Sequence, residues 1–235
     1  MKILGIDTSS RYCNLSIIED EDIMIEYIIN GLIKKHSSIL LPAIEEMLTN
    51  INMGIQDING IAITIGPGSF TGLRVGLGVA KGLSCAASIP VAGVITLDVL
   101  VCNVAKIPAI ICPVLDARKG EVYFALYRGG DQLSKMIDYQ CESIEKLLSR
   151  IENVQENIIF LGEGTLKYQS RIKDTMGSRA IFIHPTLSIL KASNVALIGL
   201  EKIKKGKVEN IYSISPFYMR KSEAEIVWEK KNKSV

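Results

Sequence analysis

The chain has 235 residues, 48% hydrophobic and 22% charged, with a formal net charge of +2. That length admits one large domain or two small ones around a sizeable core, and the composition excludes a disordered chain. A net charge so close to zero argues against a protein whose main task is gripping phosphate backbones.

No apolar run reaches membrane-spanning length, since Ile89 to Cys102 is too short and is broken by Asp98. Met1-Lys2 leads at once into Ile3-Leu4-Gly5-Ile6, without the apolar stretch and cleavage site of a signal peptide. Cys13, Cys85, Cys102, Cys112 and Cys141 form no C-x-x-C pair and read as buried thiols in a reducing compartment. The expected setting is cytoplasmic, with no membrane contact.

In chain order, Ile3 to Ile6 predicts a strand that ends at Asp7-Thr8-Ser9-Ser10 and returns through Leu15 to Ile18. Ile23 to Ile29 predicts a third strand. Leu40, Leu41, Ile44, Met47 and Leu48 recur at helical spacing, with Pro42 acceptable in a first turn. Ile58 to Ile65 predicts a buried strand that runs into Gly66-Pro67-Gly68-Ser69 and a glycine-rich helix. A short strand near Val91 to Val94 and another helical segment close this half.

The second half repeats the pattern. Ile110 to Leu115 ends in Asp116, and Glu121 to Tyr127 returns. Ser143 caps a helix with Ile144, Leu147, Leu148 and Ile151 on one face. Ile158 to Leu161 enters Gly162-Glu163-Gly164. A further helix spans about Ser193 to Lys205, with Gly206 placed to end it. The order β-β-β-α-β-α thus occurs twice, offset by about one hundred residues. The expected fold class is α/β, a duplicated actin-like ATPase fold; a single irregular sheet is the alternative. The expected divisions are an N-terminal half-domain, 1–103, a C-terminal half-domain, 104–214, and a segment, 215–235, packing back and ending in a basic tail. In that last segment Ser222 to Glu225 reads as a capping box for a short helix around Ile226 to Trp228.

Three stretches could carry chemistry. Asp7, Thr8 and Ser9 sit where ATP-using members of such a fold hold metal-bound water and cradle phosphate, but Ser9 stands where glycine is normally needed. A structural hairpin and a vestigial nucleotide or anion loop, with Gly66, Gly68 and Ser69 on its other side, both remain open. Gly66 to Arg74 is not a Walker A loop, and anion binding at the following helix N-terminus is one reading of it. The other, preferred, is a helix-packing surface, because each glycine inside a helix costs roughly 1 kcal/mol and should be offset by close approach of a neighbour, here a helix such as Leu40–Leu48 of this chain or one of another subunit. Leu40, Leu41, Ile44, Gly72, Arg74, Val75, Gly76 and Val79 are the candidate subunit-contact residues on this reading. Asp116-Ala117-Arg118-Lys119 reads as a solvated hairpin tip or a contact for RNA or an acidic partner. His36 and His184 form no metal pair, and no nucleophile elbow is present. No catalytic residue and no metal ligand is assigned.

With these stretches in order, the chain resembles the TsaB (YeaZ) family of the tRNA threonylcarbamoyladenosine pathway. The resemblance rests on Ile6-Asp7-Thr8-Ser9, His36-Ser37 with Leu40-Leu41-Pro42, the run Gly66 to Gly76, Asp116 to Tyr123, and Tyr218-Met219-Arg220. It implies a non-catalytic paralogue of the TsaD transferase, whose H-x-x-x-H metal motif would fall on Thr96 and Leu100 here. It further implies a heterodimer with a TsaD-like transferase through N-terminal helices, and work with a TsaE-like ATPase. The supported reaction is transfer of the threonylcarbamoyl group to the tRNA adenosine beside the anticodon, in tRNAs reading codons that start with A. A homodimer in isolation and ATP or ADP at a subunit interface are further expectations; direct tRNA contact is left open. The rival readings are an active small-molecule kinase or ATPase of the same superfamily and a metalloprotease-like enzyme.

Overall fold

Two five-stranded mixed sheets carry the chain, and both use the same strand order. The computed structural model describes residues 1–31 and 36–220. The capping box at Ser222 to Glu225, the helix after it and the basic tail lie outside the described residues.

The first sheet contains β1 (Lys2–Asp7), β2 (Tyr12–Glu19), β3 (Asp22–Asn30), β4 (Gly60–Gly66) and β5 (Val91–Ile95), in the order β3-β2-β1-β4-β5. α1 (His36–Asn50) and α2 (Phe70–Ala87) make its crossovers, and α3 (Thr96–Cys102) follows. The second half runs β6 (Ile110–Arg118), β7 (Glu121–Arg128), β8 (Ser134–Ser143), α4 (Ile144–Ile151), β9 (Ile158–Leu161), α5 (Glu163–Met176), β10 (Ala180–Phe182) and α6 (Ala192–Lys204). Its sheet order, β10-β9-β6-β7-β8, is the first order read from the other edge. In each sheet the leading strand pairs antiparallel with the next strand on one side and parallel with a crossover strand on the other. The duplicated actin-like fold is therefore present, with one strand and one helix more in each half than β-β-β-α-β-α.

The strands follow their sequences. β1 and β4 are almost wholly buried, as near-continuous apolar runs require. The edge strands β3 and β8 are partly or fully exposed along their length. α4 is amphipathic, and Ser143 accepts the Lys146 N–H at its start. Pro42 lies in the interior of α1, beyond the first turn, and faces solvent. The helix bears the loss of one main-chain hydrogen bond there because Leu40, Ala43, Ile44 and Met47 anchor its other face.

The elements stack in layers. α1 and α2 cover one face of the first sheet around Leu4, Ile6, Leu15 and Ile63. α4 and α5 cover the far face of the second around Phe124 and Phe160. Between the sheets, α3 and α6 are enclosed in a core drawn from both halves, including Ile3, Ala62, Leu97, Leu115 and Val195. Asp98 on α3 ties the halves further: the hydroxyls of Tyr127 and Tyr139 each donate to it at 2.6 Å, and Lys135 approaches to 3.6 Å. Burial first, and then the Asp98 carboxylate, push both phenols above their usual range.

One placement differs from the sequence reading. α6 was assigned to the C-terminal half-domain but packs on β1, β2, β4 and β5 of the first sheet. Small residues explain it. A Cβ on Gly199 would collide with Ala62, and one on Gly5 with the Ala192 carbonyl and Ala196, so helix and sheet approach closely only because both positions are glycine. The return to the first half thus begins at residue 192, not at 215. After α6 the chain stays there: Glu209 N–H bonds to the Val91 carbonyl at 2.8 Å and Phe217 N–H to the Ile65 carbonyl at 2.7 Å.

Two outcomes follow from this packing. Gly199→Ala should lower stability by on the order of 1–3 kcal/mol in urea denaturation, through overpacking against Ala62. Alkylation should modify Cys85 first, since it alone of the five thiols is exposed. Burial pushes Cys13 up to about 12 and Cys102 and Cys141 up to about 11, keeping them protonated at neutral pH. Mass spectrometry of the labelled chain reads the order.

Candidate functional site

A cleft of about 890 Å³ opens between the halves. The β1–β2 turn and the start of α2 form one lip, and the β6–β7 turn forms the other. Residues 217 to 220 line it as well.

The floor of the first lip is closed by its own side chains. Asp7 is fully buried. Its Oδ1 accepts from Ser9 N–H at 3.0 Å, Ser9 Oγ at 2.5 Å and Thr64 Oγ1 at 2.7 Å, and its Oδ2 accepts from Asn14 Nδ2 at 2.9 Å. Four donors satisfy a carboxylate that burial would otherwise make very costly. Thr8 is buried too, and its hydroxyl donates to the Gly72 carbonyl at 2.8 Å. The Ser9 carbonyl accepts Ser69 N–H at 2.6 Å, and a Cβ on Gly68 would run into Ser9. Gly66 turns at φ +121°, which favours glycine, and Ser69 Oγ caps α2 by accepting Gly72 N–H at 3.2 Å. Asp7, Thr8, Ser9, Gly66, Gly68 and Ser69 are brought together, but as a welded joint. The residues do not fit a phosphate cradle or a metal-bound water, because the groups that would serve them are already engaged.

The glycine face of α2 splits in two. Cβ atoms on Gly72 and Gly76 would strike Thr8, so this face is buried against the end of β1 and not against a helix, as the sequence reading expected. Gly78 and Gly82 have open space beside them. Leu40 and Ile44, expected at a subunit contact, are buried in the chain's own core, because the apolar stripe of α1 faces the sheet. Leu41 is exposed, Val75 and Val79 are half-buried, and Arg74 sits at the cleft rim. A second, apolar groove of about 370 Å³ runs beside α1 and α2, lined by Leu41, Ile44, Leu48, Met53, Ile55 and Leu83 among others.

On the second lip, Asp116 accepts Lys167 Nζ at 2.9 and 3.0 Å and Arg118 N–H at 3.0 Å. Burial first, then the carboxylates of Asp116 and Asp7, raise Glu163 above the usual carboxylate range against a smaller pull from Arg11. The mouth is bridged by an aromatic stack. Phe70 and Tyr218 lie 4.9 Å apart, Arg74 lies 3.9 Å over Phe70, and Arg74 Nε donates to Tyr218 Oη at 2.9 Å. Arg220 reaches the opposite lip, donating to the Ala117 carbonyl at 2.6 Å and pairing with Glu121 at 3.4 Å. Arg11, Glu163 and Lys167 escaped sequence reading: Arg11 directly follows the Asp7 turn and was legible, whereas Lys167 meets Asp116 from 51 positions away.

Thr96 is buried and lines the cleft, while Leu100 is buried in the inter-sheet core. Among the described residues no three His, Cys, Asp or Glu side chains converge as a metal set. Thr96 and Leu100 carry no imidazole, so these two positions do not supply the transferase's paired histidines.

A two-lobed, duplicated α/β body with its cleft at the ends of the leading strands defines a protein of the actin-like ATPase fold. The family model for TsaD, tRNA N6-adenosine threonylcarbamoyltransferase, matches residues 29–228. The tRNA threonylcarbamoyladenosine biosynthesis protein TsaB of Bacillus subtilis (strain 168) is 31% identical over 229 residues, 97% of this chain and 98% of that protein. TsaB of Escherichia coli (strain K12) is 26% identical, covering 98% of each. Among solved structures, YeaZ from Pseudomonas aeruginosa superposes with a TM-score of 0.74 at 22% identity, over 93% of this chain and 99% of that one. An activator of 2-hydroxyisocaproyl-CoA dehydratase from Clostridium difficile, with bound ADPNP, shares the fold at a TM-score of 0.51 and 12% identity, over 89% of this chain and 99% of that one. The chain belongs to the TsaB family of tRNA threonylcarbamoyladenosine biosynthesis proteins.

The two faces of α2 give a paired test. Gly76→Ala should destabilise the isolated chain by on the order of 1–3 kcal/mol by pressing on Thr8 and Ile63. Gly78→Ala should stabilise it by up to about 1 kcal/mol, since the added methyl meets nothing. Thermal melts of the two variants read both signs.

Proposed function

We propose that this chain is a non-catalytic partner subunit that pairs with a TsaD-like transferase and supports it in forming threonylcarbamoyladenosine beside the tRNA anticodon. The observation that carries this reading is the filled floor of the cleft. A kinase or ATPase needs free donors on its phosphate hairpin, and here Ser9 spends its N–H and hydroxyl on Asp7, Thr8 its hydroxyl on the Gly72 carbonyl and Ser69 its N–H on the Ser9 carbonyl.

The pairing surface is the exposed side of α1 and α2. The groove beside Leu41 is apolar, and Gly78 and Gly82 let a facing helix come closer than the usual 8–10 Å between axes. In isolation a second copy of the chain takes the same place. A TsaE-like ATPase joins the pair, and ATP or ADP is held between subunits, not in this chain's own cleft. The setting is cytoplasmic, in keeping with a tRNA substrate and five unpaired thiols.

Leu41→Asp should weaken association with the transferase at least about tenfold, some 1.4 kcal/mol, and leave the melting temperature of the isolated chain unchanged. Calorimetric titration measures the first and a thermal melt the second. ATP turnover by the isolated chain would overturn the non-catalytic reading.

A further inference from the structure

The chain contains eight arginines. Arg128, Arg150, Arg171 and Arg220 each pair with a glutamate. Arg179 is spent on main-chain carbonyls of Met176, Glu152 and Val154. Arg11, Arg74 and Arg118 remain. Among the described residues none of the three has a carboxylate partner, and all three line the inter-half cleft. Arg11 and Arg74 stand on one lip and Arg118 on the other. In a molecule with a net charge of only +2, unneutralised guanidinium is thus collected in one place.

The acids of the same cleft do not cancel it. Asp116 is committed to Lys167 by two contacts, and Glu163 forms no ion pair with any of the three arginines. Among the described residues no carboxylate pairs with these exposed cations, which suits them to an anion from outside the chain.

The placement of the arginines says which anion. All three are exposed at the rim, while the floor beneath the first lip is sealed by the Asp7 hydrogen bonds. A small enclosed phosphate ester would need donors on that floor. A polyanion strung across the mouth needs only the rim. Tyr218, stacked on Phe70 and 42% exposed, adds an aromatic surface of the kind on which unpaired bases stack. We propose that the mouth of the cleft binds the backbone of a single-stranded RNA segment, with Arg11, Arg74 and Arg118 on its phosphates. The partner is the tRNA itself, so the chain touches the substrate as well as the transferase. A subunit that only scaffolds needs no such contact, and this inference goes beyond that reading.

Fluorescence anisotropy tests it, with the full-length chain and a fluorescein-labelled, unmodified transcript of a tRNA that reads codons starting with A. Arg11→Gln and Arg118→Gln should each weaken binding about three- to tenfold and reduce the slope of log K against log salt by about one. Arg128→Gln and Arg150→Gln, at glutamate-paired positions away from the cleft, should change neither. Arg74→Gln should behave like the first pair; because it also breaks the aromatic stack, the other two variants carry the decision if it fails to fold. Equal effects from cleft and control variants overturn the proposal. So does displacement of the transcript by AMP or pyrophosphate at stoichiometric amounts, which would assign the arginines to a small phosphate ligand. If the cleft variants lose affinity for the transferase while keeping that for the transcript, the site takes an acidic protein surface and the RNA assignment falls. A chain that binds the transferase with unchanged affinity but no transcript refutes this inference alone and leaves the partner-subunit reading intact.

Discussion

The buried carboxylate of Asp7 is the constraint around which the first half is organised. An ionised group without water must be surrounded by donors, and its four come from the β1–β2 turn, β2 and β4. Meeting that demand fixes the Ser9 backbone, which then receives Ser69 and so sets where α2 begins. Thr8, one residue on from Asp7, takes the side of α2 that glycine leaves bare. The turn, the helix start and the central strands are thereby one unit. The turn is a joint with its donors engaged, and the arginines without carboxylate partners among the described residues lie at the rim.

The second dependence is on closeness between helix and sheet. Gly5 and Gly199 allow α6 to lie on the first sheet, and with it the inter-sheet core fills from both halves. Asp98 adds a polar tie across the same boundary by holding the tyrosines of β7 and β8. Residues 217 to 220 add a third on the opposite side, from Ile65 and Arg74 to Ala117 and Glu121. Three separate ties hold the lobes to one another.

Much of this was legible where the physics is local. The end of β1 at Asp7, the caps at Ser69 and Ser143, and the apolar stripes of α1 and α4 are set by neighbours a few residues apart, whereas β6 runs two residues past Asp116 to Arg118. What could not be read was the identity of distant partners. Periodicity marked Leu40 and Ile44 as buried but could not say whether their cover was this chain or another. The glycines of α2 announced a close neighbour, and for Gly72 and Gly76 the neighbour was Thr8, by its carbonyl and its hydroxyl, and not a helix. β8 and β10 were missed because edge strands alternate weakly. α6 was put in the wrong layer because nothing in residues 192–204 names Ala62 as its contact.

The position of α6 has a consequence for synthesis. Residues 2 to 95 emerge from the ribosome well before residue 192, and until then one face of their sheet lacks its main covering helix, with α3 reaching chiefly β4 and β5. The first half cannot finish folding as an independent unit during translation. It must wait, with Ile3, Ala62 and Val94 uncovered, for a segment roughly a hundred residues later. Such a nascent chain has reason to rely on holding factors, and a truncation before residue 192 would release an adhesive sheet in place of a smaller stable domain.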